Sequence, residues 1–504
     1  MASSKQRDSL APRTHAAIVP LGRIRAFVGH AVMSWGVGGG LVALVAASLG
    51  GAPGIARAAT VNWPEYMNGN GGYNPAETMI TPATASKLTL KFNIHPGGSI
   101  FSQPVEANGL VYVGTYYGTE MALNPTTGAS VWKATVGKTQ DLCSSQQIGV
   151  VGTAAVTTVT LGGTATSVLL VGGGNAQLYA LNALTGAIIW HTALGGQMNW
   201  ASPIVASVVL PGTTSPTTVA YMGTASFCDT PLVQGKLIQL NVATGAIINS
   251  FNVVPNGCIG GAVWGSATVD TSVSPPTVYI ASGNPPGPNH NPCKQPLPYA
   301  PAVIELNAAS LGFIGAWQVP AAQQTVDADF GNTPVLFTAT IAGTATALVG
   351  ALNKNGIFYA FKRGAVSSGP VWQTRISVGG QEPQKGIGSV APAAFDGTTL
   401  YAAGGNTTIK GASCQGSVQA LNPATGVAGW QKCLTAAVLG AVTIVPGVGV
   451  VGNGPFITVF ATATGATLFT YKDTTNNARF YGPASIVNGR LYEGNMDGRL
   501  YSFG

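Results

Sequence analysis

Three observations predict an all-β fold built from repeated four-stranded units. The first is a short pattern that recurs along the chain: Leu123-Asn124 with Thr127-Gly128 and Trp132, Leu181-Asn182 with Thr185-Gly186 and Trp190, Leu240-Asn241 with Thr244-Gly245, and Leu421-Asn422 with Thr425-Gly426 and Trp430. Weaker copies are Leu306-Asn307 with Trp317, and Phe460-Ala461 with Thr464-Gly465 and Phe469. Self-similarity at such a period signals stacked supersecondary units. The second is the wealth of Gly (69) and Pro (32), which suits many turns between short strands. The third is that long helical segments with a charged face are missing after residue 60. Each part of the repeat has a physical role. The Asn side chain bonds the backbone two residues on, the Gly accepts positive φ, and the Trp offers a broad apolar face to a neighbour.

The chain has 504 residues, 46% hydrophobic and only 8% charged, which gives ample length for a large core and excludes disorder. Its net charge of +7 is uneven. Residues 1–58 hold Lys5, Arg7, Arg13, Arg23, Arg25 and Arg57 against Asp8, so the remainder is close to neutral and carries no basic footprint for nucleic acid. A basic region ends at Arg25, an apolar Gly-rich stretch runs to Gly54, and Ala56-Arg57-Ala58 forms a small-x-small cleavage pattern. Residues 1–58 therefore read as a signal peptide cut after Ala58, with an uncleaved membrane anchor as the alternative. Either places residues 59–504 outside the cytoplasm, secreted or anchored at the cell surface, with the membrane met only through this segment. Arg23-Ile24-Arg25 is not a twin-arginine pair.

Beyond Trp63-Pro64-Glu65-Tyr66 and Tyr73-Asn74-Pro75, Leu88–Phe92 reads as one strand without sisters. The units then follow in order. Their second strands are Val111–Gly114, Val168–Gly172, Val219–Gly223, Val278–Ala281, Ala347–Gly350, Leu400–Ala403 and Gly449–Gly452. An eighth unit from Gly482 holds Arg490-Leu491-Tyr492 and Arg499–Phe503, and has three strands only. The lone strand near Leu88–Phe92 supplies its fourth, and closure of the ring removes exposed sheet edges. The prediction is an eight-bladed β-propeller of four-stranded blades, the last closed by an N-terminal strand, with residues 59–504 as one domain. A seven-bladed ring is the alternative, because units five and seven diverge from the pattern.

In such a ring the second-to-third-strand loops and the blade-to-blade connections share one face. Cys143, Cys258 and Cys433 fall in or beside the connections, and Cys228, Cys293 and Cys414 fall in the loops. The long insertions 226–235, 283–301 and 404–416 fall on the same face, where sites are usually built. An even number of cysteines in an exported chain suggests disulfides. Loop proximity favours Cys143–Cys228, Cys258–Cys293 and Cys414–Cys433, one of many pairings that six cysteines allow. No Cys-x-x-Cys-His occurs, so no covalent haem is expected. His95, His191 and His290 lack metal-ligand spacing.

The Asn-x-x-Thr-Gly-x-x-x-Trp repeats resemble the tryptophan-docking repeats of pyrroloquinoline quinone (PQQ) dehydrogenases and their non-enzymatic relatives. The series Trp63, Tyr73-Asn74-Pro75, Ile80 and Leu88 looks like the lead-in of quinoprotein alcohol dehydrogenases and polyvinyl-alcohol dehydrogenases. The resemblance implies that Trp264, in Trp264-Gly265-Ser266, is the floor beneath the quinone. It implies that Asn284, in Gly283-Asn284-Pro285, binds Ca²⁺, and that Lys354-Asn355 bonds the quinone oxygens. Asp229 lies near the acidic Ca²⁺ ligand, with its spacing to Gly235 off by one. The chemistry is coherent: an indole stacks on a planar cofactor, an amide oxygen suits a hard cation, and a cation stabilises charge that develops on reduction.

Two departures stand against catalysis. The adjacent cysteine pair that covers the quinone in many of these enzymes is absent, and Lys294-Gln295-Pro296-Leu297-Pro298 offers no carboxylate where the catalytic Asp is expected. Asp327 and Asp329 are near in sequence and read more naturally as solvated turn residues. Two functions follow from the resemblance. One is PQQ- and Ca²⁺-dependent oxidation of a small alcohol or a hydroxylated polymer, with electrons passed to a separate acceptor. The other is a non-catalytic propeller that binds protein or polysaccharide through its loop face.

Overall fold

The computed structural model describes residues 62–504, apart from residues 70, 141–145, 230–231, 287–292 and 294–296. The segment 1–58 and Cys143, with its pairing to Cys228, lie outside the described residues. Eight four-stranded antiparallel sheets form the blades of a propeller, as the repeats predict. Blade 1 consists of Val105–Ala107, Leu110–Thr115, Thr119–Leu123 and Ser130–Thr135. In blade 1 the first three strands are buried almost throughout, and the outer strand is mostly exposed. That gradient follows from a ring whose sheets pack face to face.

The repeat residues act as the physics of the motif requires. Asn124 Oδ1 accepts the N–H groups of Thr126 and Thr127 at 2.9 and 3.0 Å, and Gly128 takes φ 73°. Trp132 Nε1 donates to the carbonyl of Ala183 in blade 2 at 2.9 Å, and its ring lies against Gly186, where a Cβ would fall 2.6 Å from the indole. The same docking joins Trp190 to Val242 and Gly245, Trp372 to Pro423 and Gly426, and Trp430 to Thr462 and Gly465. Trp372 restores the rule in blade 5, one of the two units that look divergent in sequence.

Blade 8 contains Ser485–Val487, Arg490–Gly494 and Leu500–Phe503, with Leu90–Ile94 paired antiparallel to Leu500–Phe503 as its outer strand. Phe92 packs on Gly128 of blade 1, the place that Trp takes at other blade junctions.

The lead-in has a role beyond its sequence signature. It crosses the ring on the face of the first-to-second-strand turns and bonds the innermost strands of six blades. Trp63 exchanges backbone bonds with Glu106, Pro64 accepts from Val156, and the Glu65 carboxylate accepts from Val205 at 3.1 Å. On the far side Gly71 accepts from Phe395, Gly72 from Ile444, and the Asn74 amide donates to Ile486. Tyr66 thereby lines the central channel from this face, opposite the long loops.

Candidate active site

Trp264 precedes the inner strand of blade 4, Thr268–Asp270. Its ring is fixed by the lack of a side chain at Gly331, where a Cβ would stand 2.2 Å from the indole. Trp264 lines two spaces at once: the narrow central channel, ≈ 90 Å³, and a cavity of ≈ 390 Å³ on the long-loop face. It is therefore placed as a floor between them. Trp200 meets Trp264 edge-on at 6.2 Å and stacks on Phe227 at 5.4 Å, which walls one side of the cavity with aromatic rings.

Lys354 sits in the turn between Thr344–Leu352 and Ile357–Lys362 of blade 5. The turn is buried, in contrast to the exposed hairpin that Asn353-Lys354-Asn355-Gly356 allows. Asn353 Nδ2 donates to Ala328 at 2.6 Å, and Lys354 N to Asp329 O at 2.9 Å, so the turn is clamped to the segment before blade 5. This aims the ammonium into the cavity. Lys354 Nζ lies 2.8 Å from Asp327 Oδ2 and 2.8 Å from Asp329 Oδ2, and 5.2 Å from the Trp264 ring centroid.

The expectation that Asp327 and Asp329 are solvated turn residues is thus corrected. Asp329 is buried, Asp327 is half-buried, and both line the cavity. Burial comes first among the forces on Asp327, and the neighbouring Asp329 charge adds to it. Together they push its carboxyl up to about 7, against the opposing pull of Lys354. For Lys354 itself burial lowers the pKa, but Asp329 and Asp327 outweigh it and hold the ammonium charged. Asp229, with φ 54°, is raised by burial and then by Asp329, while Lys354 and hydrogen bonds to Asn284 and Ser226 oppose the rise.

The cavity brings together Trp264, Lys354, Asn284 and Asp229 among the residues that the sequence singles out. Asn284 is positioned by its backbone N–H, which donates to Asp329 Oδ1 at 2.5 Å. Its loop is tied down by the Cys258–Cys293 disulfide, and Cys414–Cys433 forms as well. Asn355 does not join them. Its amide is held by Tyr359 Oη at 2.7 Å and Gln323 O at 2.9 Å, so it serves blade packing instead. The signal that finds the missed pair is charge economy. In a chain with only 8% charged residues, two acids one residue apart need a cation nearby.

The site fits a planar, polar ligand over an indole floor in volume and in chemistry. The Asp229 carboxylate and the Asn284 amide oxygen are donors that suit a hard cation. Among the described residues no group of three or more His, Cys, Asp or Glu side chains is disposed to hold a metal ion. The shell of such a cation would be completed by amide, ligand and water oxygens.

The family described as "Glucose/ethanol/alcohol dehydrogenase, beta-propeller domain" matches residues 63–377, more than half of the chain. A search of curated protein sequences finds no match. Among solved structures the fold is similar to the quinohemoprotein alcohol dehydrogenase from Comamonas testosteroni, at 17% identity and TM-score 0.64, over 89% of this chain and 81% of that one. It is similar to a europium-containing methanol dehydrogenase at 14% identity and TM-score 0.65, over 88% and 98% of the two chains. BamB from Moraxella catarrhalis shares 14% identity at TM-score 0.50, over 82% and 97%.

Proposed function

The chain belongs to the PQQ family of glucose/ethanol/alcohol dehydrogenase β-propeller domains, and from that premise we propose that the cavity above Trp264 takes PQQ with Ca²⁺ and that the exported protein oxidises an alcohol or polyol. The observation that carries this reading is the Lys354 ammonium over the Trp264 indole, held there by Asp327 and Asp329. When bound, the quinone supplies a two-electron acceptor. Trp264, Lys354, Asp229 and Asn284 are the residues that would hold it and its cation: the indole by its apolar face, the ammonium by its charge, and the carboxylate and amide by their oxygens. Asp327, with its carboxyl raised to about 7, is a base poised near neutral pH and suited to accept the alcohol proton. Lys354 holds the Asp327 carboxylate in place and stabilises negative charge that appears beside it. The lead-in segment spans the opposite face, so substrate enters and leaves on the long-loop face. Electrons pass to a separate acceptor.

The test is reconstitution of the mature protein with PQQ and Ca²⁺. The bound quinone spectrum and dye reduction with alcohols are the expected results. No binding at high-micromolar PQQ sinks the reading. A second reading, a non-catalytic propeller that binds protein or polysaccharide, is favoured by the contacts through which Lys354 already engages both Asp327 and Asp329. In that case the dye assay stays silent while the fold is intact.

A further inference from the structure

Blade 6 carries an element that the propeller does not need. A two-stranded hairpin, Thr407–Ile409 paired with Ala412–Cys414, is inserted between its second and third strands. The Cys414–Cys433 disulfide ties the hairpin to the outer strand of the same blade, Ala428–Leu434. An inserted hairpin held by a covalent link is a built wall rather than a loose loop.

Against that wall lies a groove of ≈ 580 Å³, larger than the ≈ 390 Å³ cavity over Trp264. It spans the loop face from the connection before blade 6 to the connection before blade 8. Its polar lining consists of the carboxamides Gln384, Asn406, Gln415 and Asn477, the hydroxyl of Ser413 and the cations Lys385 and Arg479. No carboxylate and no aromatic ring lines it. Gln384 lines the groove and the central cavity alike, so the two are neighbours.

The two cations differ. Lys385 is paired with Glu382 at 2.5 Å, whereas Arg479 is exposed and forms no ion pair among the described residues. Carboxamides both donate and accept, as hydroxyl groups do, and so match a ligand rich in hydroxyls. A guanidinium without a partner matches a carboxylate in bidentate geometry. The neighbouring cavity, with Asp229, Asp327 and Asp329, has the opposite character.

We propose that this groove is a binding site for an acidic oligosaccharide, with Arg479 on a uronate-type carboxylate and the carboxamides on ring hydroxyls. The site is independent of the cofactor reading, because it is formed by residues outside the Trp264–Lys354 cluster.

The test uses the full-length protein without PQQ. Oligogalacturonate is titrated by calorimetry, with a cello-oligosaccharide of equal length as the neutral arm and polyacrylate as an arm with charge but no hydroxyls. The expected result is that oligogalacturonate binds best, that Arg479→Ala weakens it about tenfold, the loss of one charge-assisted contact, and that Gln415→Ala weakens it less. Both side chains are exposed, so neither variant threatens the fold. The proposal is overturned if oligogalacturonate does not bind, if polyacrylate or the neutral sugar binds as well, or if both variants bind like the parent. Because PQQ is absent from every arm, failure here leaves the dehydrogenase reading standing, and failure of PQQ binding leaves this one standing.

Discussion

Lys354 Nζ stands 5.2 Å from the centroid of the Trp264 ring while it bridges Asp327 and Asp329 at 2.8 Å each. The indole face and two carboxylates thus hold one ammonium group from three sides. Blade 4 supplies the ring, the segment before blade 5 the acids, and blade 5 the lysine. The cluster links neighbouring blades at the mouth of the channel.

Removal of the ammonium by Lys354→Met leaves two carboxylates of low exposure without a counter-charge. Loss of one partner of a buried pair costs about 3–5 kcal/mol. Chemical denaturation of the apo protein should show a loss of that order, and Lys354→Arg should recover most of it. A variant as stable as the parent would mean that the acids are solvated after all.

Gly331→Ala should displace the floor without removing it. Its new Cβ would sit 2.2 Å from Trp264 and 2.8 Å from Val390 Cγ1, so the indole must tilt or slide. The expected outcome is PQQ affinity reduced by roughly tenfold, comparable to the loss of one aromatic stacking contact, with the propeller still folded by circular dichroism. Unchanged affinity in titrations of the quinone spectrum would place the ligand elsewhere.

Much of the ring was legible in the sequence because its packing rule is local. Asn, Gly and Trp at fixed spacing close a turn and dock the next blade, and the structure repeats that contact at Trp132, Trp190, Trp372 and Trp430. The site was legible only in part. Trp264, Lys354, Asn284 and Asp229, singled out in the sequence, line one cavity. Asp327 and Asp329 were not legible as site residues because their burial depends on the lysine of the next blade, a tertiary fact without local period. Asn355 misled for the converse reason: adjacent to Lys354 in sequence, it bonds Tyr359 and Gln323 instead. The course of Trp63–Asn74 across six inner strands likewise rests largely on backbone bonds that any side chains permit, with side-chain contacts added by Glu65 and Asn74.

Glu65 links that crossing segment to acid–base behaviour. Burial raises its carboxyl from 4.5 to about 7, against the Val205 N–H that favours the charged form. The folded protein therefore holds more protons than the unfolded chain between those values, and stability falls as pH rises. The contribution is full below pH 4.5, declines through the window up to about 7, and is flat above it. Glu65 is half-buried, so the change is on the order of 1–3 kcal/mol. Asp327, also raised to about 7, contributes a slope of the same sign, so denaturation midpoints measured across this window should show a shallower slope in Glu65→Gln. A slope unchanged in the variant would assign it to other groups.

Phe92→Ala tests the junction of blade 8 with blade 1. The ring packs on Gly128 and lies 6.3 Å from Tyr492, where a docking Trp stands in other blades. Truncation of a buried Phe costs about 3–5 kcal/mol when the cavity does not collapse. Here the loss falls on a strand held to its blade by one edge only, through the pairing of Leu90–Ile94 with Leu500–Phe503. The strand should fray before the ring unfolds, and the freed edge of Leu500–Phe503 then becomes a template for pairing between molecules. Hydrogen exchange should accelerate first in residues 90–94 and 500–503, and size-exclusion chromatography should show concentration-dependent association. Loss of stability that is uniform across all blades, with a monomer throughout, would show that the junction contributes no more than any other.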